Sequence, residues 1–537
     1  DVFAGMADRL TPDEVLARTK ALFEGDVVRS VYVTPQSGEA DTDALRLALA
    51  TEVAVDSTAR LAAQSIKFDD LPPMGEPGTV MSREPIGILE VEQVNFSNGV
   101  RALLWANDAE PGRVTVRVRF GAGYRAFDAD SAVYATLGQA ALVGSGIGEL
   151  GQNELDRLAT GRKLGFEFAI DDAVFTLTAQ TRSADVEDQL YLFAAKLGMP
   201  RWDPEPVMRS KAALELAYNT YATSPGGVIG RDMTYLVTDR DPRFETPDPQ
   251  TLKEATPEGF REVWEPLLTQ GPVEVLIFGQ FDKEAIIAKL AETFGALEPA
   301  GAISTDIAQR VPGFPAPEPL PTVLKHRGDA NQAAAVVVWE SGGGVRALRE
   351  SRQIEILTQI FNNRLLDALR EEAGAAYSPQ VYLDWPTDLE AGGTITAIAQ
   401  IEPDILPLFF AEADRIAKDL AANPPTDDEI NRVTGPLAQQ IRRASTGNQF
   451  WLFNLEGASF DPRRIELLPS LLSDYSRTDP RIMQFLADRY FAQGAPLRLA
   501  IIPEGQELAE VAPLEPPKPK AQAGVIGPVQ GPGAQSR

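Results

Sequence analysis

Three stretches of the chain share one order of signals, and their spacing limits the fold more than any other feature. The first reads Thr11-Pro12-Asp13-Glu14, a helical pattern to about Phe23, a turn at Gly25-Asp26, an apolar strand over 27–33 and Pro35. The second reads Thr256-Pro257-Glu258, a helix through Leu268, Gly271-Pro272 and a strand over 273–278. The third reads Asp479-Pro480-Arg481, a helix through Phe491, Gly494-Ala495-Pro496, a strand over 497–502 and Pro503. Pro12, Phe23 and Pro35 map onto Pro480, Phe491 and Pro503 at one offset of 468 residues, and Pro12 maps onto Pro257 at 245. Proline suits a first helical turn, where its missing N–H would have no acceptor. Three copies in fixed order predict duplicated domains, each closed by a helix and a strand.

The bodies between these endings repeat as well. One predicts a strand over 114–120, Gly121-Ala122-Gly123, a helix near 132–142, strands over 165–169 and 174–181, and helices over 185–197 and 204–218. The other predicts a strand over 333–339, Gly342-Gly343-Gly344, a helix over 349–370, strands over 376–383 and 392–401, and helices over 403–420 and 426–444. Thr176-Leu177-Thr178-Ala179 matches Thr394-Ile395-Thr396-Ala397 almost letter for letter. Strands that follow one another directly favour antiparallel pairing, with helices layered on a face. The expected class is therefore α+β: two tandem repeats of an antiparallel sheet layered with helices, plus the tail of a preceding repeat.

Pro-rich stretches at 71–78 and 312–321 read as extended linkers, because proline removes a donor and restricts its predecessor. The expected organisation has six segments. Residues 1–40 are the closing helix and strand of a preceding domain, and 41–88 are a helix and linker. Residues 89–300 form one complete domain, 301–320 a second linker, 321–510 another complete domain, and 511–537 a flexible Pro/Gly-rich tail. The chain starts at Asp1 with no leader-like pattern. It is expected to begin inside a domain whose body, and any targeting signal, lie upstream.

Composition excludes several functions. Fifty Lys and Arg against 77 Asp and Glu leave a net charge of −27. That opposes nucleic acid and anionic lipid, which need clustered cations. There is no cysteine, so no thiolate zinc site, cluster or thiol nucleophile. The one histidine, His326, rules out a two-histidine zinc site within this chain. It reads as a solvated residue at a strand start. The longest apolar run, 333–339, is strand-sized, so no membrane span is expected.

With the repeats in place, the chain resembles the insulinase/pitrilysin family of zinc metallopeptidases, the inverzincins. The most specific stretch is Leu369-Arg370-Glu371-Glu372-Ala373-Gly374-Ala375-Ala376-Tyr377-Ser378. Leu142-Val143-Gly144-Ser145-Gly146-Ile147-Gly148, through Leu158 to Pro204, is similar to the start of the family's third domain. The resemblance implies the C-terminal, non-metal half of a bacterial enzyme whose two halves close around a peptide chamber. The family's zinc motif is H-x-x-E-H on a helix. The corresponding helices here read Leu137-Gly138-Gln139-Ala140-Ala141 and a segment within 354–362 whose lone carboxylate is Glu355.

The resemblance therefore assigns zinc to the partner half and no metal or other cofactor to this chain. Alone, the chain is expected to be inactive. The expected partners are the half bearing H-x-x-E-H and a peptide or unfolded polypeptide, in a periplasmic setting. From this half the family draws an Arg and a Tyr that contact the substrate carbonyl, and the matching residues are Arg370 and Tyr377. A guanidinium stays charged and offers a fixed fork of donors, and a phenol is a neutral donor. Both suit a carbonyl that becomes an oxyanion. The alternative is an inert scaffold or binding subunit of the same fold.

Other signals weigh less. Gly144-Ser145-Gly146-Ile147-Gly148 lacks a following Gly-Lys-Ser/Thr, so it does not read as a phosphate loop. Trp385, Phe450 and Trp451 read as packing residues that would also suit a chamber wall.

Overall fold

The computed structural model describes residues 11–24, 31, 42–51, 66–373 and 378–514. The chain divides into two units, Asp1–Ser65 and Ile66–Arg537.

In the first unit lie α1 (Pro12–Phe23) and α2 (Thr42–Ala50). Thr11 starts α1 with a capping box: its hydroxyl accepts the Glu14 N–H at 3.3 Å and Glu14 accepts the Thr11 N–H at 3.3 Å. The strand expected over 27–33 lies, apart from Val31, outside the described residues.

The second unit holds two sheets. The first comprises β1 (Val80–Pro85), β2 (Glu92–Phe96), β3 (Arg101–Ala106), β4 (Arg113–Phe120), β5 (Glu167–Ile170), β6 (Phe175–Arg182) and β7 (Glu274–Gly279), in the order β1-β2-β3-β7-β4-β6-β5. The second comprises β8 (Thr322–His326), β9 (Ala333–Glu340), β10 (Gln380–Asp384), β11 (Thr394–Ile401) and β12 (Leu497–Pro503), in the order β10-β11-β9-β12-β8. The second order repeats β5-β6-β4-β7-β3 position for position. Each sheet is antiparallel except at one equivalent pair, β3 with β7 and β12 with β8. The duplication read from prolines is thus a duplication of topology.

Helices complete both layers: α3 (Ala132–Gly144), α4 (Val186–Gly198), α5 (Pro204–Tyr221), α6 (Pro225–Val237), α7 (Pro257–Leu267), α8 (Leu348–Ala373), α9 (Leu406–Ala422), α10 (Asp427–Ala444), α11 (Asn448–Leu455) and α12 (Pro480–Ala487). Val116, Val118 and Phe120 of β4 pack against Leu137 of α3, Phe193 of α4 and Trp264 of α7. Val337 and Trp339 of β9 pack against Phe361 of α8, Phe409 of α9 and Met483 of α12.

The opposite faces are covered by exchange. Leu276 and Phe278 of the first sheet meet Leu452 and Leu455 of α11, which belongs to the second repeat. Val336, Val338 and Leu499 of the second sheet meet Val228 of α6, which belongs to the first. A strand buried on both faces needs no polar alternation. That accounts for the unbroken apolar runs of β7, β9 and β12, buried along nearly their whole length.

Four strands and one histidine depart from the sequence reading. β1, β2, β3 and β8 had no clear signal: β1 ends in Pro85, as an edge strand can, and most of its residues are exposed. His326 was expected in solvent, yet it is fully buried at the end of β8. Its Nδ1 accepts the Gly328 N–H at 3.0 Å, so the ring proton sits on Nε2 and is donated to the Gln332 carbonyl at 2.7 Å. Flanking Lys325 and Arg327 hid a side chain that ties down its own turn. Beyond β12, Val511 is buried and Leu514 donates its N–H to the Pro319 carbonyl at 2.9 Å. Residues 515–537 lie outside the described residues.

Candidate functional site

α8 owes its 26 residues to an apolar stripe. Leu357, Phe361, Leu365 and Leu369 recur every three or four positions and are fully buried. Arg364 pins the helix to its neighbours through Asp419 of α9 and Glu429 of α10, each at 2.7 Å. Arg370 follows Leu369 onto the exposed face and makes no ion pair among the described residues. Tyr377 lies outside the described residues. Past it, the Val381 N–H of β10 donates to Asn362 of α8 at 3.0 Å, which ties the strand back to the helix.

The two helices matched to the zinc motif do not fit a metal. In α3 a Cβ at Gly138 would stand 2.2 Å from Cζ2 of Trp264, so this turn is pressed against an aromatic core. In α8 the Glu355 carboxylate accepts the Tyr475 hydroxyl at 2.5 Å. Among the described residues no group of three His, Cys, Asp or Glu is placed to hold a metal ion. The glycine-rich loop is turned the wrong way for an anion. Its carbonyls, at Leu142 (2.9 Å), Val143 (3.3 Å) and Ser145, accept from Lys196, which burial pushes down to about 7.

A cavity of about 630 Å³ opens between the two sheets. Its floor is the polar face of the first sheet: Arg117 and Arg119 of β4, Thr176 and Thr178 of β6, and Glu167 and Ala169 of β5. Its far wall is the 384–389 turn after β10, with Phe453 and Glu456. Trp385 lines it, held by an Nε1–H bond to the Gly344 carbonyl at 3.1 Å. Trp451 packs instead, edge-on to Trp105 at 6.4 Å, with Phe450 against it.

Buried charge stitches the cavity shut at its base. Arg119 bridges Asp388 at 2.7 Å and Glu274 at 3.3 Å, and Arg464 reaches Asp388 at 2.7 Å. Burial works against the Arg119 charge, but Asp388, Glu274 and Glu456 outweigh it and hold the guanidinium protonated well above its usual range. Glu274 also accepts from the Ser459 N–H at 3.0 Å and the Gly457 N–H at 2.5 Å.

At the mouth stand Asp171 and Asp172, on the β5–β6 turn, and Asp384, at the end of β10. Crowding by protein pushes Asp172 up to about 6, with Asp384 and Asp171 adding repulsion. A carboxylate raised in this way stabilises the fold less as pH rises through 6, where it ionises against its surroundings. Asp172→Asn is therefore expected to raise the melting temperature at pH 8, by about 1–2 kcal/mol of stability after screening by cavity water, and hardly at pH 3, where the carboxyl is protonated in the folded and the unfolded chain alike. Equal gains at both pH values would contradict the assignment. Among the described residues no histidine or lysine lines the cavity, and Thr178 Oγ accepts from Arg117 Nε at 3.1 Å. Sequence reading passed over the cavity, although the Asp171-Asp172 pair at a hairpin tip was a visible signal.

Residues 254–435 match the family described as Peptidase M16 inactive domain. No curated protein sequence matches the chain. Among solved structures, the periplasmic protease PqqL from Escherichia coli superposes with a TM-score of 0.67 at 15% identity, over 92% of this chain and 51% of PqqL. The ferredoxin protease FusC, solved as a point mutant in complex with Arabidopsis ferredoxin, gives 0.68 at 15%, over 86% and 50%. The peptidase M16 inactive domain from Pseudomonas fluorescens gives 0.65 at 15%, over 78% of this chain and 100% of that one. The chain thus spans about half the length of PqqL and FusC. The isolated first half of PqqL also superposes, with a TM-score of 0.59 at 11% identity, over 79% of this chain and 93% of that one. Residues 254–435 are thus similar to the M16 inactive-domain family, and the chain around them has the α+β fold of these solved structures.

Proposed function

We propose that this chain is the metal-free half of a zinc-dependent endopeptidase. In this reading it closes a peptide chamber against a half bearing H-x-x-E-H, in the periplasm, and offers Arg370 and Tyr377 to the substrate carbonyl. Zinc belongs to the other half. PqqL, a periplasmic protease of which this chain spans about half, supports the setting.

One observation carries the need for a second half. At the repeat offsets, Val15, Leu22 and Phe23 of α1 correspond to Phe260, Leu267 and Leu268 around α7 and to Met483, Tyr490 and Phe491 around α12. The α7 and α12 sets are at most 8% exposed, whereas Val15, Leu22 and Phe23 are 48%, 83% and 86% exposed. In this reading the first copy is a closing helix whose sheet comes from the other half. Burying three such side chains is worth about 5–8 kcal/mol in all.

Two measurements test this. Amides of α1 are expected to exchange rapidly in the isolated chain and to gain protection when the H-x-x-E-H half is added. Peptide cleavage is expected only when both are present. Protection of α1 in the isolated chain, or cleavage by it, would overturn the reading.

A further inference from the structure

The cavity between the sheets is walled on one side by a strand whose outer edge pairs with no strand among the described residues. β5 is the terminal strand of its sheet. The Asp171 N–H donates to the Val174 carbonyl at 2.9 Å, which makes 171 and 174 a hydrogen-bonded pair. Antiparallel pairs alternate, so Glu167 and Ala169 bond inward to β6, and the outward N–H and C=O groups are those of Phe168 and Ile170. No other strand, and no loop or side chain among the described residues, takes those groups. β10, the matching edge of the second sheet, is already partly occupied, since Asn362 takes its Val381 N–H.

The same rim is acidic, although Arg117 and Arg119 on the cavity floor and Arg243 and Arg125 near Asp172 offset part of its charge. Glu167, Asp171, Asp172 and Asp384 all line the cavity, and none makes an ion pair among the described residues. Asp172 and Asp384 come from different sheets and repel each other across the opening.

We propose that the open edge of β5 pairs with an extended polypeptide segment, and that Glu167, Asp171, Asp172 and Asp384 receive a lysine or arginine side chain of that segment. Addition of a strand to a free edge supplies affinity through the backbone, and the pocket for a side chain supplies choice. A cation seated between Asp172 and Asp384 removes their mutual repulsion. A metal ion is the poorer occupant, because no three of these side chains converge on one point. The net charge of −27 draws basic segments towards the chain from a distance. The inference rests on the proposed peptidase role only for the nature of the occupant, an unfolded polypeptide.

The experiment uses the full chain without its partner half, so its outcome is independent of turnover and of Arg370 and Tyr377. A short capped peptide of alternating valine and threonine with a central arginine is titrated by calorimetry. Two peptides serve as controls: one with citrulline for arginine, which keeps shape and loses charge, and one N-methylated on alternate amides, which cannot pair with an edge. Both are expected to bind about tenfold more weakly or worse. The isosteric pair Asp172→Asn and Asp384→Asn is expected to weaken the arginine peptide alone. Binding is also expected to fall between pH 8 and pH 5, as Asp172 takes up a proton. The groups facing Asp172 are Asp384, Asp171, Arg243 and Arg125. Failure of the arginine peptide to bind, or equal binding of either control, overturns the proposal even if the variants fail to fold, since the peptide controls use the unaltered chain.

Discussion

Arg370→Ala and Tyr377→Phe each lower peptide turnover by about 10²–10³-fold when this chain is combined with the half bearing H-x-x-E-H. That is the expected result if the pair meets a carbonyl as it becomes an oxyanion, for donors aimed at developing charge act on the chemical step. The loss should fall on kcat more than on KM. Arg370→Lys should recover only part of it, because an ammonium lacks the guanidinium fork. Arg370 is exposed and free of ion pairs among the described residues. Its removal should therefore leave stability within about 0.5 kcal/mol. Melting temperature, turnover and the zinc content of the partner half, measured on the same preparations, separate the possibilities. Loss of activity in step with loss of stability would make the pair structural. Full activity in both variants would leave the chain as a scaffold.

The second large effect is on stability. Glu274 is 1% exposed and serves Arg119, Gly457 and Ser459 at once. Glu274→Ala is expected to lower the unfolding free energy by about 3–5 kcal/mol, because it leaves the buried Arg119 guanidinium with Asp388 alone and strands two backbone donors. Replacing both charges, as Glu274→Leu with Arg119→Leu, should recover part of that, since paired charges in a dry site are costly to desolvate. Denaturant midpoints of the two variants and of the unaltered chain decide it. A midpoint for Glu274→Ala equal to that of the unaltered chain would show that the network contributes nothing.

Local grammar made much of the fold legible. A proline in the first turn, an apolar helix face and a closing strand located α7 with β7 and α12 with β12. The near-identity of Thr176-Leu177-Thr178-Ala179 and Thr394-Ile395-Thr396-Ala397 located β6 and β11 as equivalents. What stayed hidden depends on which surface meets which. Arg113, Arg117 and Arg119 alternate with Thr and Val along β4, a pattern that says one face is polar. It cannot say that Arg117 and Arg119 face Glu456 and Asp388 rather than water. His326 sat between two charged neighbours and looked solvated, whereas its turn folds over it. The Asp171-Asp172 rim becomes meaningful only when Asp384, more than two hundred residues later, is brought opposite.

The crossed placement of α6 and α11 governs how the molecule is made and how it moves. The first sheet lacks its second cover until the chain has been synthesised through Leu455, so the first repeat leaves the ribosome with Leu103, Leu276 and Phe278 bare. Expressed alone, either repeat would show an oily flank to its neighbours and clump. Once assembled, each repeat is clasped by the other, and sliding one past the other would tear both clasps together. Ile66–Arg537 is accordingly one compact unit, in which neither sheet can be pulled away without baring the other.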